Sequence, residues 1–452
     1  MSSEWTQTTL GDVCLKITDG AHASPKSVAV GKPMASVKDM TRFGIDLSSA
    51  RLISVEDYES LVKQGCRPEI GDVLIAKDGN SALDTVCNVK SSLDAVLLSS
   101  VAILRPNPEK IDTDFLKFYL SSSDVVEYLK STFISGAAIP RVVLRDFKKA
   151  EINIPPLSIQ KDIATVLNAI EDRIFTLRET NTTLEAIAQA LFKSWFVDFD
   201  PVHAKMQGRA PEGMDEATAA LFPDSFEESE LGAVPKGWKL VPFGQLLSHT
   251  IGGDWGSDVV DKKNDTRVAI IRGTDIPDLQ TNANSRVPVR YTSQKKLAGR
   301  KLEDGDLLLE VSGGSKDQPT GRSLYLSGAL LSQFDCPVEP ASFCRLLRPL
   351  NKGVGMLLGQ HLTYIYAQGK TWEYQNQSTG IANFQTTHFL ETELVACPPD
   401  DVLNVFAETV QPLIARAHLT QIQELASLRD TLLPRLISGQ LSVSDFQATL
   451  AT

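Results

Sequence analysis

The two halves of this 452-residue chain carry the same landmarks in the same order. The matched segments are Trp5 and Trp238, Leu10-Gly11-Asp12 and Phe243-Gly244-Gln245, 67–75 and 301–309, Leu104-Arg105-Pro106 and Leu347-Arg348-Pro349, Gly136 and Gly380, and Pro155-Pro156 and Pro398-Pro399. The offset stays between about 233 and 244 residues, and a helical pattern follows each Pro-Pro pair. This repeat predicts a tandem duplication of one globular domain plus one helix. A chain with two copies of one domain is suited to a partner with two similar halves, and duplex DNA is the first candidate.

Composition is that of a soluble globular protein, with 42% hydrophobic and 22% charged residues. No apolar run approaches the roughly 20 residues that span a membrane. The first residues lack the basic and apolar regions of a signal peptide, so a cytoplasmic location is expected. The six cysteines form no CxxC pair and have no histidine at zinc-site spacing, so we expect reduced thiols and no metal.

The formal charge of -11 is concentrated in one segment. Residues 198–230 hold nine acidic side chains and two basic ones, so the remainder is close to balanced and can present basic patches to a polyanion. Between Arg286 and Lys301 there are six bases and no acid. A solvated face is the alternative interpretation of that run.

Periodicity divides the chain into six segments. Residues 1–155 and 237–399 have the short β-like runs and helical patches of α+β domains, and prolines interrupt an acidic linker at 198–236. Residues 156–197 and 400–438 are predicted as long helices, with Ser158 and Asp400 as N-caps, and 439–452 form a tail. Two long helices joined through a domain most simply pair antiparallel.

The first long helix has a heptad seam that predicts coiled-coil packing. Its members are Ile163, Leu167, Ile170, Ile174, Leu177, Asn181, Leu184, Ala188, Leu191 and Trp195, and the second helix repeats the steps less cleanly with Ile414, His418, Gln421, Leu425, Leu428 and Leu432. Asn181 is either a buried residue that fixes the register or an exposed asparagine.

Catalytic motifs are missing from the sequence. There is no GxxxxGK[ST] phosphate loop and no GxGxxG fingerprint. Asp72 precedes Lys77 as in some metal-dependent nucleases, but Ile75 stands where a second carboxylate is needed, and we interpret Gly71-Asp72 as the opening of a buried strand. The chain is predicted to be a reader of DNA rather than an enzyme.

Several segments resemble the specificity subunit of type I restriction-modification enzymes. They are 154–164, 191–202, Pro235-Lys236-Gly237-Trp238 and 432–439, and the resemblance covers the whole chain although it is weak inside the two α+β domains. Pro398-Pro399-Asp400-Asp401 lacks the Leu and Gln of the first copy. The resemblance implies two tandem target-recognition domains, an antiparallel coiled coil acting as a ruler between them, and a pseudo-twofold arrangement.

The same resemblance implies the partners. Each domain would read one half of a bipartite DNA site, and the helices would dock two modification subunits that hold S-adenosylmethionine and methylate adenine. Two restriction subunits, where present, would add ATP-driven translocation and Mg²⁺-dependent cleavage, and this chain would hold no cofactor. A stand-alone DNA-modifying enzyme and a coiled-coil scaffold are the alternatives.

DNA contacts are expected from loops, with arginine reading guanine, Gln or Asn reading adenine, and lysine holding phosphates. The candidates in the first domain are Lys77, Asn80, Arg141, Arg145 and Lys148. Those in the second domain are Arg286, Arg290, Lys295, Lys296, Arg300, Lys301, Lys316, Gln318, Arg322, Gln377 and Asn383.

Overall fold

The computed structural model describes residues 5–135, 140–229, 232–281, 287–315, 318–378 and 381–450. The side chains of residues 377, 378, 381 and 447–450 are not described. The chain divides into a first unit, Met1–Phe175 with Leu425–Thr452, and a second unit, Thr176–Glu424. The repeat landmarks Gly136 and Gly380 lie outside the described residues.

Within the described residues, the first α+β domain has thirteen short strands and five α-helices. The strands are β1 (Thr6–Thr9), β2 (Cys14–Asp19), β3 (Lys32–Ala35), β4 (Met40–Thr41), β5 (Gly44–Ile45), β6 (Arg51–Ile53), β7 (Val73–Ala76), β8 (Val86–Asn88), β9 (Val96–Leu97), β10 (Val101–Pro106), β11 (Ile134–Ser135), β12 (Arg141–Val142) and β13 (Glu151–Ile154). The helices are α1 (Leu10–Val13), α2 (Val55–Lys63), α3 (Thr113–Ser121), α4 (Ser123–Phe133) and α5 (Leu144–Phe147).

A single helix, α6 (Leu157–Phe196), follows the first Pro-Pro pair and is 40 residues long. It begins at Leu157, so Ser158 lies within its first turn instead of capping it. Seven seam residues are buried and Ile170, Leu184 and Leu191 are partly buried. The heptad pattern therefore marks the face of α6 that packs against other elements.

The acidic segment predicted as a linker has structure of its own and packs within the second unit. It forms α7 (Asp200–Met206), α8 (Glu216–Ala220) and the hairpin of β14 (Phe226–Ser229) and β15 (Gly232–Pro235). Phe222 is buried, with its ring centroid 5.1 Å from that of Trp195. The prolines thus end short helices without leaving the segment extended.

The second α+β domain repeats the first. Its strands are β16 (Lys239–Pro242), β17 (Leu247–Gly252), β18 (Thr266–Ile271), β19 (Val289–Thr292), β20 (Leu307–Glu310), β21 (Ser312–Gly313), β22 (Ser323–Tyr325), β23 (Val338–Pro340), β24 (Cys344–Pro349), β25 (Gln375–Ser378), β26 (Ile381–Phe384) and β27 (Leu394–Cys397). Its helices are α9 (Ile276–Gln280), α10 (Gln294–Arg300), α11 (Gly328–Leu331), α12 (Lys352–Ala367) and α13 (Thr386–Thr392).

Sheet topology carries the repeat into three dimensions. The four-stranded sheets have the orders β2-β10-β7-β8 and β17-β24-β20-β22, and two matching three-stranded sheets have the orders β6-β3-β9 and β19-β18-β23. In each of these two matching sheets one pair is antiparallel and the other, β3 with β9 or β18 with β23, is parallel. The expected α+β duplication is confirmed.

Two helices, rather than the one predicted, follow the second domain. They are α14 (Asp400–Ala417) and α15 (Gln421–Ile437), and a further short helix, α16 (Val443–Leu450), lies in the predicted tail. Pro399 is the N-cap of α14, and the Asp400 side chain makes no capping bond. The break falls at His418–Thr420, in the middle of the predicted seam.

Both units pair α6 with a C-terminal helix in antiparallel fashion. In the first unit, Ile163 and Leu167 share a core with Leu432 and Leu436, and Glu171 lies 3.8 Å from Arg429. In the second unit, the partner of α6 is α14. Asn181 donates from Nδ2 to the Ala417 carbonyl at 3.0 Å, and the rings of Phe196 and Phe406 lie 4.7 Å apart. Residue numbers rise along α6 as they fall along its partner, as an antiparallel coiled coil requires.

Candidate nucleic-acid interface

A buried ion pair, present in both domains, supports the loop that opens the central strand of each sheet. Arg105 donates from Nε to Asp72 Oδ1 at 2.8 Å and from Nη2 to Oδ2 at 3.0 Å. Arg348 makes the same two bonds to Asp306, at 2.8 and 2.7 Å. Bidentate pairs of this kind fix both side chains. The Gly-Asp and Leu-Arg-Pro motifs of the sequence are therefore two halves of one structural element.

In each domain, matched backbone hydrogen bonds hold together the region around the end of β2 or β17, which we call the corner of that domain. The Lys77 amide donates to the Ser100 carbonyl at 2.7 Å, and the Val311 amide donates to the Phe343 carbonyl at 2.9 Å. The bond from Gly20 to Val101 is likewise repeated by the bond from Gly253 to Cys344. Both corners lie where β2 or β17 ends.

Glycine is required at the turn of each corner because the backbones approach closely. A Cβ atom at Gly20 would lie 2.1 Å from the Leu97 carbonyl oxygen, and one at Gly253 would lie 2.1 Å from that of Ala341. Two residues beyond each glycine stand His22 and Trp255. The same backbone thus presents a different side chain in each domain.

The first-domain corner holds three of the predicted DNA contacts. Lys77 is buried and its Nζ lies 2.7 Å from Asp19 Oδ2, so it is committed to an internal ion pair. Arg141 is exposed and its Nε lies 3.2 Å from Asp78, while Asn80 is exposed on the same loop. Of these three side chains, Asn80 and Arg141 are placed to meet an external partner.

The other two candidates of the first domain are Arg145 and Lys148. Both are exposed, on and just after α5, and the Lys148 carbonyl accepts a bond from Gly11 at 2.8 Å. Lys148 therefore flanks the turn at α1.

The second-domain corner contains a cleft of about 710 Å³. Gln318 and Arg322 line it, and Arg322 donates from Nε to Glu310 Oε2 at 2.9 Å. Asn383 is exposed, and its Oδ1 accepts a hydrogen bond of 2.9 Å from Ser312. Three predicted contacts from two distant segments are thus brought together here.

Part of the basic run, the segment between Arg286 and Lys301, flanks this cleft. Arg290 lies 4.3 Å from the centroid of the Trp255 ring, which lines the cleft, and pairs with Asp258 at 2.6 Å. Lys296 on α10 pairs with Asp254 at 2.9 Å, next in sequence to Trp255. Lys295 and Lys301 are exposed, and the Arg300 guanidinium donates to the Gly252 carbonyl at 2.9 Å.

Three predicted positions are only partly described or not described. Arg286 and Lys316 lie outside the described residues, and for Gln377 only the backbone, in β25, is described.

A buried carboxyl lies near the basic helix α10. Glu339 is fully buried, and neither of its oxygens has a hydrogen-bond partner within the described part of the chain. Burial, and to a lesser extent the charge of Asp254, raises the pKa of Glu339 to about 7. The carboxyl is therefore not fully charged at neutral pH, which limits how far it offsets the charge of Lys296 and Arg300.

Three residues of the second corner escaped prediction from sequence. Trp255, Arg272 and Phe343 line the cleft, and Phe343 is 64% exposed. Their counterparts in the first domain are His22 and Ser100, by the repeated backbone bonds, and Ser36, which follows β3 as Arg272 follows β18. The repeat could have identified these positions. An alignment of the two halves of the sequence, extended in both directions from Asp72, pairs residues of unlike type there.

The described residues contain neither a helix long and apolar enough to cross a membrane nor a group of three or more His, Cys, Asp or Glu side chains placed to hold a metal ion.

Residues 2–186 match the family model for the type I restriction modification DNA specificity domain. Over 97% of its length the chain is 24% identical to the whole of the type I restriction enzyme HindI specificity subunit of Haemophilus influenzae. It is also 25% identical, over 74% of this chain and 70% of the relative, to the MjaIX specificity subunit of Methanocaldococcus jannaschii. Residues 2–186 therefore match a type I specificity domain, and the chain as a whole is similar to type I specificity subunits.

The fold of this chain has a solved counterpart. The crystal structure of the S subunit of a type I restriction-modification system from M. genitalium covers 96% of both chains with a TM-score of 0.53 and 14% sequence identity. Two tandem α+β domains and long helices are therefore confirmed as its architecture.

Proposed function

We propose that this chain is a type I specificity subunit that reads a bipartite DNA sequence, one half with each α+β domain, and that it carries out no chemistry itself. The observation that supports this most directly is the repeated corner. Matched backbone bonds present His22, Asn80 and Arg141 in one domain but Trp255 and Gln318 in the other. One scaffold with unlike side chains is suited to reading two different half-sites.

Both domains have side chains suited to duplex DNA. Arg141 and Asn80 in the first domain, and Gln318 and Asn383 in the second, offer the donors and acceptors that distinguish bases in the major groove. Exposed Lys295 and Lys301 supply the sequence-independent attraction to phosphates.

The helices are proposed to serve the rest of the complex. The continuous α6, with its partners α14 and α15, would set the spacing between half-sites and dock two modification subunits. Those subunits would hold S-adenosylmethionine and methylate adenine, and restriction subunits would bring ATP and Mg²⁺. The relatives' names, as subunits of type I restriction enzymes, support such an assembly.

A domain exchange tests this function. Replacing residues 1–155 with the first domain of a relative, and expressing the hybrid with its modification subunits, should change one half of the methylated motif in genomic DNA. Exchange of residues 237–399 should change only the other half. If either exchange altered both halves, independent reading would be wrong.

The purified chain alone provides the control for catalysis. Incubated with DNA, S-adenosylmethionine and Mg²⁺, it should give no methylated or cleaved product. Turnover that a point substitution in this chain abolished would favour the stand-alone modifying enzyme instead.

A further inference from the structure

The cleft of the second domain has the shape and chemistry of a site for a flat aromatic ring. Its volume of about 710 Å³ lies within the range of small-molecule pockets. Trp255 and Phe343 line it while remaining 40% and 64% exposed, which is unusual for such large apolar side chains. Exposed aromatic groups in a concave site indicate a ligand that stacks.

The polar lining of the cleft is held in place before any ligand arrives. Arg322 is fixed by both oxygens of Glu310, which is 1% exposed. Arg272 is fixed in the same way by Asp275, with bonds of 2.9 and 2.6 Å. Two oriented guanidinium groups can offer hydrogen bonds to the edge of a ring whose face is stacked.

Glycines keep the space open around the buried carboxylate. A Cβ atom at Gly273 or at Gly313 would lie 2.4 Å from Glu310 Oε1. Any larger residue would displace the side chain that fixes Arg322. These two glycines line the cleft themselves, so its width depends on them.

The first domain fills the equivalent corner differently. Lys77 is buried there against Asp19, and Ser100 occupies the position of Phe343. His22 stands in place of Trp255, so neither Trp255 nor Phe343 has a large aromatic counterpart in the first domain. A shared structural role would call for similar residues in both domains, and these differ.

We propose that the second-domain cleft is a nucleobase pocket, which takes one base of its DNA half-site out of the helical stack. The base would stack on Trp255 and Phe343, and its edge would face Arg272, Arg322 and Gln318. Extruded bases are recognised by this combination of aromatic stacking and hydrogen bonds to the base edge. The inference rests on the proposed DNA recognition and adds a mode of reading that only the second domain uses.

A scan of unpaired positions tests the pocket. The probe is a duplex carrying the methylated motif, with an abasic site placed opposite each base of both half-sites in turn. Extruding a base costs least where it is already unpaired. At one position of the second half-site the abasic duplex should bind the full-length chain at least about tenfold more tightly than the intact one, and no position of the first half-site should do so.

Substitutions then assign that effect to the cleft. Trp255→Ala and Phe343→Ala should each weaken binding of the intact duplex about tenfold, the scale of one base–aromatic stack, and should remove the preference for the unpaired position. Trp372→Ala is the matched control, because Trp372 is 41% exposed in the same domain and does not line the cleft. Trp255→Phe should retain most of the preference.

Three results distinguish the possible failures. If no position of the second half-site gains affinity, or if the gain survives both alanine substitutions, the pocket is wrong while DNA recognition stands. If free nucleoside monophosphates bind in a Trp255-dependent manner and DNA does not compete, the cleft is a site for a free nucleotide. If the wild-type chain shows no preference for the motif at all, the proposed function fails together with the pocket.

Discussion

Among the individual residues of the basic run, ion pairing separates those that can hold phosphate from those already engaged. Lys296 is paired with Asp254 at 2.9 Å. Its neighbour Lys295 is exposed and has no ion pair among the described residues. A lysine that must first leave a carboxylate gains less from a phosphate, so we expect Lys295 to contribute more to DNA binding than Lys296.

Salt dependence measures this difference. Lys295→Ala should reduce the slope of log affinity against log salt by about 0.9, the contribution of one phosphate contact, and Lys296→Ala should reduce it by less. Lys239→Ala, an exposed lysine on β16, should leave the slope unchanged. An unchanged slope in Lys295→Ala would favour the alternative interpretation of the basic run, that it is a solvated face that does not contact DNA.

At the level of residues, the sequence predicted the repeated motifs but not which side chains pair with one another. Gly71-Asp72 and Leu104-Arg105-Pro106 were both recognised as repeated, yet the ion pair that joins them spans 33 residues. Lys77 was predicted to contact DNA because it lies in a loop, and the local sequence gave no sign that its side chain pairs with Asp19. Side-chain pairing depends on which strands become neighbours, and local sequence does not contain that information.

Among the helices, the break between α14 and α15 is the main departure from expectation. No glycine or proline stands at 418–420, so the sequence gives no signal of interruption there. The predicted seam placed Leu425, Leu428 and Leu432 inward, but Leu428 is 41% exposed and Leu425 only partly buried. The buried set of α15 is Ile422, Ala426, Arg429, Leu433 and Leu436, together with Leu432 and Ile437. Much of the inward face is therefore shifted one residue from the predicted heptad.

His418 occupies the break and is buried. It is 4% exposed, its Nδ1 lies 2.8 Å from Ser327 Oγ, and its carbonyl accepts a bond of 2.6 Å from Gln333. Burial lowers the pKa of His418 to about 4 from the ordinary 6.5. Glu185 lines the same small cavity, and burial raises its pKa to about 7.

These shifts give opposite pH dependences. The unfolded chain binds the His418 proton more readily, so the stability from His418 is complete above pH 6.5 and is lost as pH falls toward 4. The stability difference between wild type and His418→Gln should therefore fall by up to about 3 kcal/mol over that interval. Glu185→Gln is the matched control: the folded carboxyl holds its proton more readily, so its difference should change in the opposite direction.

Chemical denaturation followed by tryptophan fluorescence at pH values from 4 to 8 measures both differences. A difference for His418→Gln that stayed constant with pH would contradict the buried neutral imidazole.

For the whole molecule, the duplication was predictable because the same landmark residues occur in the same order in both halves of the sequence. Strand pairing was not, since parallel pairs such as β3 with β9 join segments more than sixty residues apart. The chain resolves into two units, and α6 contributes to both of them. That continuity is the physical basis for proposing that the helices set the spacing between half-sites.

A matched deletion tests this ruler. The segments 172–178 and 422–428 lie between two antiparallel contacts, Glu171 with Arg429 and Asn181 with Ala417. Removing both segments takes seven residues from each of the two paired helices. The apolar residues of each helix therefore stay on one face, and both contacts can form again. The helix shortens by about 10 Å at ~1.5 Å per residue, which corresponds to about three base pairs at ~3.4 Å each.

Methylome sequencing of cells that express the double deletion with its modification subunits gives the result. Both half-site sequences should persist, and the number of unread bases between them should fall by up to about three, less if α6 lies oblique to the DNA axis. Deleting either segment alone puts the two contacts out of register and should abolish methylation, which provides the control. An active double deletion that kept the original spacing would leave the helices with docking alone, because spacing would then be set by the modification subunits or by the DNA itself.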